Sequence, residues 1–144
     1  MSHNFSLREI KLVENKIGEP KIAIVFPING ATGLDKIINV SGGVSGNIPD
    51  NTKILIGHRE SSESSVKIHA DRVAAILSDN TFNAGQIYLG SDMQGAGRMF
   101  EIYALIVTDE TVNKLALKDS DNPLGYMPPS LAKTAIMVTR GFGK

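Results

Sequence analysis

Between Gln86 and Thr108 the chain reads QIYLGSDMQGAGRMFEIYALIVT, two apolar-rich segments joined by a glycine-rich turn. In the second segment Phe100, Ile102, Ala104 and Ile106 recur at every other position, while Met99, Tyr103, Leu105 and Val107 contribute to a second, partly buried face. A period of two carried by aromatic and β-branched residues belongs to a strand, because successive side chains leave a pleated backbone on opposite sides. QIYLG then reads as its neighbour across the turn.

The other segments follow the same period. KIAIVFP (Lys21 to Pro27) places Ile22, Ile24 and Phe26 on one face and Ala23 and Val25 on the other, with INGATG as the turn after it. In KIINVSGGVSG, Ile38 and Val40 share a face, and the glycines predict a bulge or a close backbone approach. NIPDN is a turn, and TKILIGH directs Ile54 and Ile56 inward. DRVAAIL is read as strand, although Val73, Ile76 and Leu77 also fit helical spacing. Thr108 or Asp109 is a fitting N-cap for a short helix over about 109–117, with Val112, Leu115 and Ala116 as its apolar stripe. DSDNPLGYMPPS is an irregular connection, and TAIMVTR is the closing strand.

Seven or eight short strands at roughly ten-residue spacing, one late helix and no alternating βαβ units predict an all-β, two-layer antiparallel sandwich. Residues 20–144 form the single sandwich domain, and 1–19 an arm. LREIKLVEN within that arm reads as an edge strand through Ile10 and Leu12 or a short helix through Leu7, Ile10 and Val13. At 144 residues the chain buries enough surface to fold without a disulfide or metal.

Fifteen basic and fifteen acidic residues cancel, which argues against a general affinity for nucleic acid or anionic membrane. The absence of cysteine removes thiol nucleophiles and Cys-ligated zinc together. The N-terminus is too polar for a signal peptide, and no run approaches the about 18 to 20 apolar residues that span a bilayer, so a soluble, cytoplasmic protein is expected.

The order INGATG, VSGGVSGNIPDNTKILI, SDNTFNAGQIYLG, GRMFEIYALIVTDE and IMVTR resembles a widespread bacterial immunoglobulin-like β-sandwich module, over roughly Pro20 to Arg140. These are packing and turn motifs. The resemblance implies a binding or structural module, often appended to others, with no catalytic residue and no cofactor. Asn80 stands where glycine is common in that pattern, a substitution the left-handed conformation tolerates. HRESSESS replaces the family's aromatic, proline-rich segment, so any contact those aromatics serve does not carry over.

Chemistry-bearing residues are few. His69 and Asp71 are spaced to leave a strand on one side, as metal ligands do, and His58 is a candidate neighbour; solvated strand-end histidines are the commoner outcome. His3 belongs to the arm. Ser61, Ser62, Ser64 and Ser65 lie near His58 and Glu60, the residue types of a hydrolase, but without a nucleophile elbow or oxyanion hole. The stretch from Arg59 to Ser65 is better read as a solvated loop with Arg59 as its polar anchor. Neither SGGVSG nor GSDMQGAGR is a dinucleotide or P-loop motif, which leaves bulge and hairpin duty, with a small anion nest beside Arg98 as the minor alternative. Phe82, Tyr88, Phe100 and Tyr103 are assigned to core filling, while Tyr126, Met127 and Leu131 form either an apolar patch or a cover over the sandwich's open end.

The function expected is therefore a non-enzymatic protein-interaction or structural module that self-associates, with Arg59, Glu60, Arg72, Arg98, Tyr126 and Met127 as contact candidates. Its partner is another protein or a further copy of the chain. Capture of a small polar or anionic ligand by Arg59, Arg72 or Arg98 is the alternative, and a hydrolase the third reading.

Overall fold

The computed structural model describes residues 18–61, 68–90, 96–115, 124 and 126–142. Its elements are β1 (Lys21–Phe26), β2 (Ile37–Ser45), β3 (Thr52–Glu60), β4 (His69–Ala74), β5 (Thr81–Tyr88), β6 (Met99–Thr108), α1 (Asp109–Leu115) and β7 (Ala132–Thr139). Antiparallel pairing arranges the strands as β1-β2-β5 and β4-β3-β6-β7, the two layers of an all-β sandwich. The chain changes sheets after β2, β4 and β5. Residues 1–17, which hold the expected extra strand or helix, lie outside the described residues.

The alternating apolar residues of both sheets meet in one core. Val40, Ile54, Ile56, Phe82, Ile87, Phe100, Ile102, Ala104 and Ile106 are all buried there, with Ile22 and Ile24 of β1 packed at its margin. A second cluster lies on the far side of the four-stranded sheet. Leu55, Leu105 and Val107 are fully buried under Leu115 of α1, with Val112, Leu124 and Met127 packed around them. The face of β6 read as partly buried is thus wholly buried at these positions, because a helix and a connection cover it. Thr108 caps that helix by accepting the Thr111 amide through Oγ1, and Asp109 binds Lys53 Nζ at 3.0 Å, holding the helix start to β3.

Phe26 departs from the expected alternation. Ile24 pairs with Gly42 and Phe26 with Ser41, so Val25 is an extra residue, the strand's phase inverts, and Phe26 turns outward instead of joining Ile22 and Ile24. Tyr88 is likewise exposed at the end of β5, not part of the core. The strand expected in DRVAAIL ends at Ala74; Ile76 packs against the core and Leu77 is exposed.

Each sheet edge is blunted by a different device, as edges that must resist uncontrolled pairing require. Beside β7 runs the β1–β2 connection, with Gly30 donating to the Met137 carbonyl and Thr139 to that of Ala31. Ile68, just before β4, bridges to Leu124. On β5 the Gln86 carbonyl accepts Arg72 Nε, and Gly85 has φ 76° at a bulge. The bulge at Val25, with Pro20 and Pro27 at either end, interrupts β1.

Gly42 shows why a glycine sits in mid-strand. A Cβ there would lie 2.0 Å from the Ala23 carbonyl oxygen and 2.7 Å from the Phe82 ring, which crosses the strand at this point. At Gly43 the nearest atom to such a Cβ, the Asn80 carbonyl oxygen, is 3.3 Å away. Gly42→Ala is expected to destabilise the fold by about 1–3 kcal/mol or more through overpacking. Gly43→Ala should cost clearly less, and urea unfolding of the two variants checks the order.

Candidate functional site

At the end of β3 the sequence turns from Ile54-Leu55-Ile56 to His58-Arg59-Glu60, so the strand carries polar groups out of the core on alternating faces. Each meets a partner brought by the sheet. Register places His58 opposite His69 and Ile102, Arg59 opposite Glu101, and Glu60 opposite Phe100.

His58 lies on the core side. Its Nδ1 is 2.6 Å from Asp71 Oδ2, its ring stacks on His69 with centroids 4.9 Å apart, and Phe100 lies 6.1 Å away. A bulge makes this convergence. Ile56 pairs with Arg72 and Gly57 with Ala70, leaving Asp71 as the extra residue, and a Cβ on Gly57 would fall 2.7 Å from the His69 carbonyl oxygen. Burial pushes the Asp71 carboxyl above its ordinary value, and the hydrogen bond and charge of His58 only partly offset that. The expectation of solvated histidines is therefore corrected for His58, which is buried. Among the described residues no three His, Asp or Glu side chains are grouped to hold a metal.

Arg59 lies on the opposite side of the sheet. Its Nη2 is 2.5 Å from Glu101 Oε1, while Glu101 Oε2 accepts the Tyr103 hydroxyl. Burial alone would raise the Glu101 carboxyl, yet donation from Tyr103 and Arg59 outweighs it and holds the group below its ordinary value. Burial and the bond to Glu101 push the Tyr103 hydroxyl up to about 12. Tyr103 is thus a member of a polar triad rather than plain core filling.

The remaining candidates are dispersed. Arg98 Nη1 binds Glu60 Oε1 at 2.5 Å, and Arg72 donates to β5. Met127 packs beneath the helix, Tyr126 is exposed, and Leu131 is exposed elsewhere. Ser62, Ser64 and Ser65, and residues 91–95 of the second glycine cluster, lie outside the described residues. A cavity of about 270 Å³ opens at the other end of the sandwich, lined in part by Ile48, Asp50, Lys53, Ile76 and Asn80.

Two contributors escape sequence reading. Glu101 is an ordinary charge until register sets it against Arg59. Arg140 ends the segment read as the closing strand and nothing in the sequence singles it out, but it is buried just past β7 and donates from Nη1 to the Leu89 carbonyl at 2.8 Å.

No family model matches this chain, and neither a curated protein nor a solved structure shows significant similarity to it. Among the described residues no helix is long and apolar enough to cross a membrane.

Glu101→Gln removes the negative charge beside the Tyr103 hydroxyl that donates to it. The pKa of that tyrosine is then expected to move down from about 12 toward the ordinary 10.0, with burial, which the substitution leaves in place, holding it above that value. Ultraviolet difference titration of the variant beside the parent protein reads this directly.

Proposed function

We propose that the chain is a non-enzymatic, immunoglobulin-like interaction module that self-associates, acting as a small cytoplasmic adaptor or accessory subunit. The observation that supports this best is at the end of β1. Val25, Phe26 and Ile28 are 66%, 52% and 70% exposed within four positions of one another. The bulge that breaks the strand's phase turns Phe26 to solvent, where a large ring is held at a cost unless something covers it.

The contact is made by side chains, not by strand addition. Bulge and flanking prolines make β1 a poor template for pairing. A second copy presenting the same apolar corner is self-complementary, since an isologous interface places like against like without charge repulsion here. Tyr126, exposed on another surface, suits a further partner.

Anion capture has weaker support. Arg59 and Arg98 engage carboxylates of the chain itself and Arg72 engages a backbone carbonyl, so binding an anion would first break bonds already made. The hydrolase reading has no supporting geometry among the described residues.

Light scattering across a concentration series tests the proposal. The parent protein is expected to form a dimer or larger species, and a Val25→Asp/Ile28→Asp variant to associate at least ~10-fold more weakly while keeping its circular dichroism. A parent protein that stays monomeric, or a variant that associates equally well, overturns it.

A further inference from the structure

Asn29-Gly30 is the one Asn-Gly pair in the sequence, and it forms the tip of the connection that shields β7. The Ala31 amide donates to the Ile28 carbonyl at 3.0 Å, closing a turn from Ile28 to Ala31, and Gly30 has φ 86°. Among the described non-glycine residues positive φ is confined to Asn80, so φ is negative at Asn29 and the turn is type II. A Cβ on Gly30 would meet no atom within 4 Å, so the turn requires glycine there and the space does not.

Both halves of the pair are fastened to one residue. The Met137 amide donates to Asn29 Oδ1 at 2.9 Å, and the Gly30 amide donates to the Met137 carbonyl at 2.7 Å. The Asn29 side chain thus stands in for a backbone carbonyl and completes the pairing that a neighbouring strand would give Met137. Asn29 and Gly30 are nonetheless exposed, so water reaches them.

We propose that Asn29 is a site of spontaneous deamidation gated by this clamp, and that its isoaspartyl product uncaps the β7 edge at Met137. In the reaction the Gly30 nitrogen gives up its proton and bonds to Asn29 Cγ, while the side-chain nitrogen leaves as ammonia. One water molecule then opens the succinimide, at Cγ to give aspartate or at the main-chain carbonyl carbon to give isoaspartate. An Asn-Gly pair suits this step because no Cβ on the second residue hinders the attacking nitrogen.

The folded turn prevents ring closure. Tetrahedral geometry at Cα brings the Gly30 nitrogen over Cβ only at an Asn29 ψ of about −120°, whereas the second position of a type II turn has about +120°. The clamp also occupies the attacking N–H and holds the amide that is attacked. Cyclisation therefore requires that the connection first leave β7.

The two products differ in what they can rebuild. Aspartate keeps the main chain and offers Met137 a carboxylate oxygen where the amide oxygen stood. In isoaspartate the former side-chain carbonyl and the Gly30 N–H belong to one trans peptide group, so they point in opposite directions and cannot both face Met137. Met137 then loses its cover beside Ala135 and Lys133, exposed residues whose backbone groups face the same way along β7. An open edge of that length is a template for strand pairing. The site does not depend on the self-association reading.

Parent protein held in mildly alkaline buffer, folded or in guanidinium chloride, is followed over time by peptide mass mapping. Asn29 is expected to convert at least ~10-fold faster in the unfolded chain, because the folded one must open first. Equal rates overturn the gating. The isoaspartyl chain, separated from the aspartyl form and refolded, is expected to lose at least ~10-fold in amide exchange protection at Met137, while Ile136 and Val138, whose amides face β6, change little. Asn29→Asp, with the same charge and an unbroken main chain, should keep that protection. Where the isoaspartyl chain does not refold, Asn29→Ala removes the acceptor and reads the same loss. Met137 protection as high in the isoaspartyl chain as in Asn29→Asp, or undiminished in Asn29→Ala, overturns the uncapping.

Discussion

The pairing of β3 with β6 is the constraint on which the rest of the molecule depends. It runs unbroken from Thr52 opposite Thr108 to Glu60 opposite Phe100, and it places apolar side chains on both faces of the sheet. One face supplies the inter-sheet core through Ile54, Ile56, Ile102, Ala104 and Ile106. The other supplies Leu55, Leu105 and Val107, and these create the demand for α1 and the segment around Leu124 and Met127. A register slip of one residue would exchange the two faces and expose what the helix covers, so this seam holds both layers in place.

The same register organises the polar end. Because His58, Arg59 and Glu60 alternate sides, the histidine enters the core margin while the arginine meets Glu101 outside it. Internal pairing of this kind suits a chain whose fifteen basic and fifteen acidic residues balance. Arg59, Arg72, Arg98 and Arg140 act as fasteners between segments of the chain, with Arg72 and Arg140 both donating to backbone carbonyls around β5.

Much of the architecture was legible in the sequence because burial imposes a period of two. That period located the strands from Lys21 to Phe26, Thr52 onward and Met99 to Thr108, and the capping pattern at Thr108 located the helix. It failed where an extra residue enters a strand. The bulge at Val25 shifts Phe26 outward, and the bulge at Asp71 brings that carboxylate to His58; neither is marked by residue type. Register is equally hidden locally. Arg59 and Glu101 are 42 positions apart, and only the three-dimensional pairing makes them neighbours. The spacing of His69 and Asp71 pointed to the right residues for the polar cluster, but it said nothing of whether solvent reaches His58.

Glycine positions connect these two bulges to the packing around them. Gly42 lets the Phe82 ring cross β2 beside the irregular end of β1, and Gly57 lets the His69 backbone approach β3 beside the irregular middle of β4. In both places a strand interior gives up a side chain, which costs conformational entropy, and gains a close approach that no larger residue permits. The outcomes differ because the neighbours differ. At Gly42 the approaching group is an aromatic ring that fills the core, so the irregularity is absorbed there and only Phe26 is displaced to the surface. At Gly57 the approaching strand carries ionisable side chains, so the same backbone device concentrates titratable groups at a buried margin. The regular β3–β6 pairing holds the fold, and the irregularities on either side of it decide which side chains are left to act.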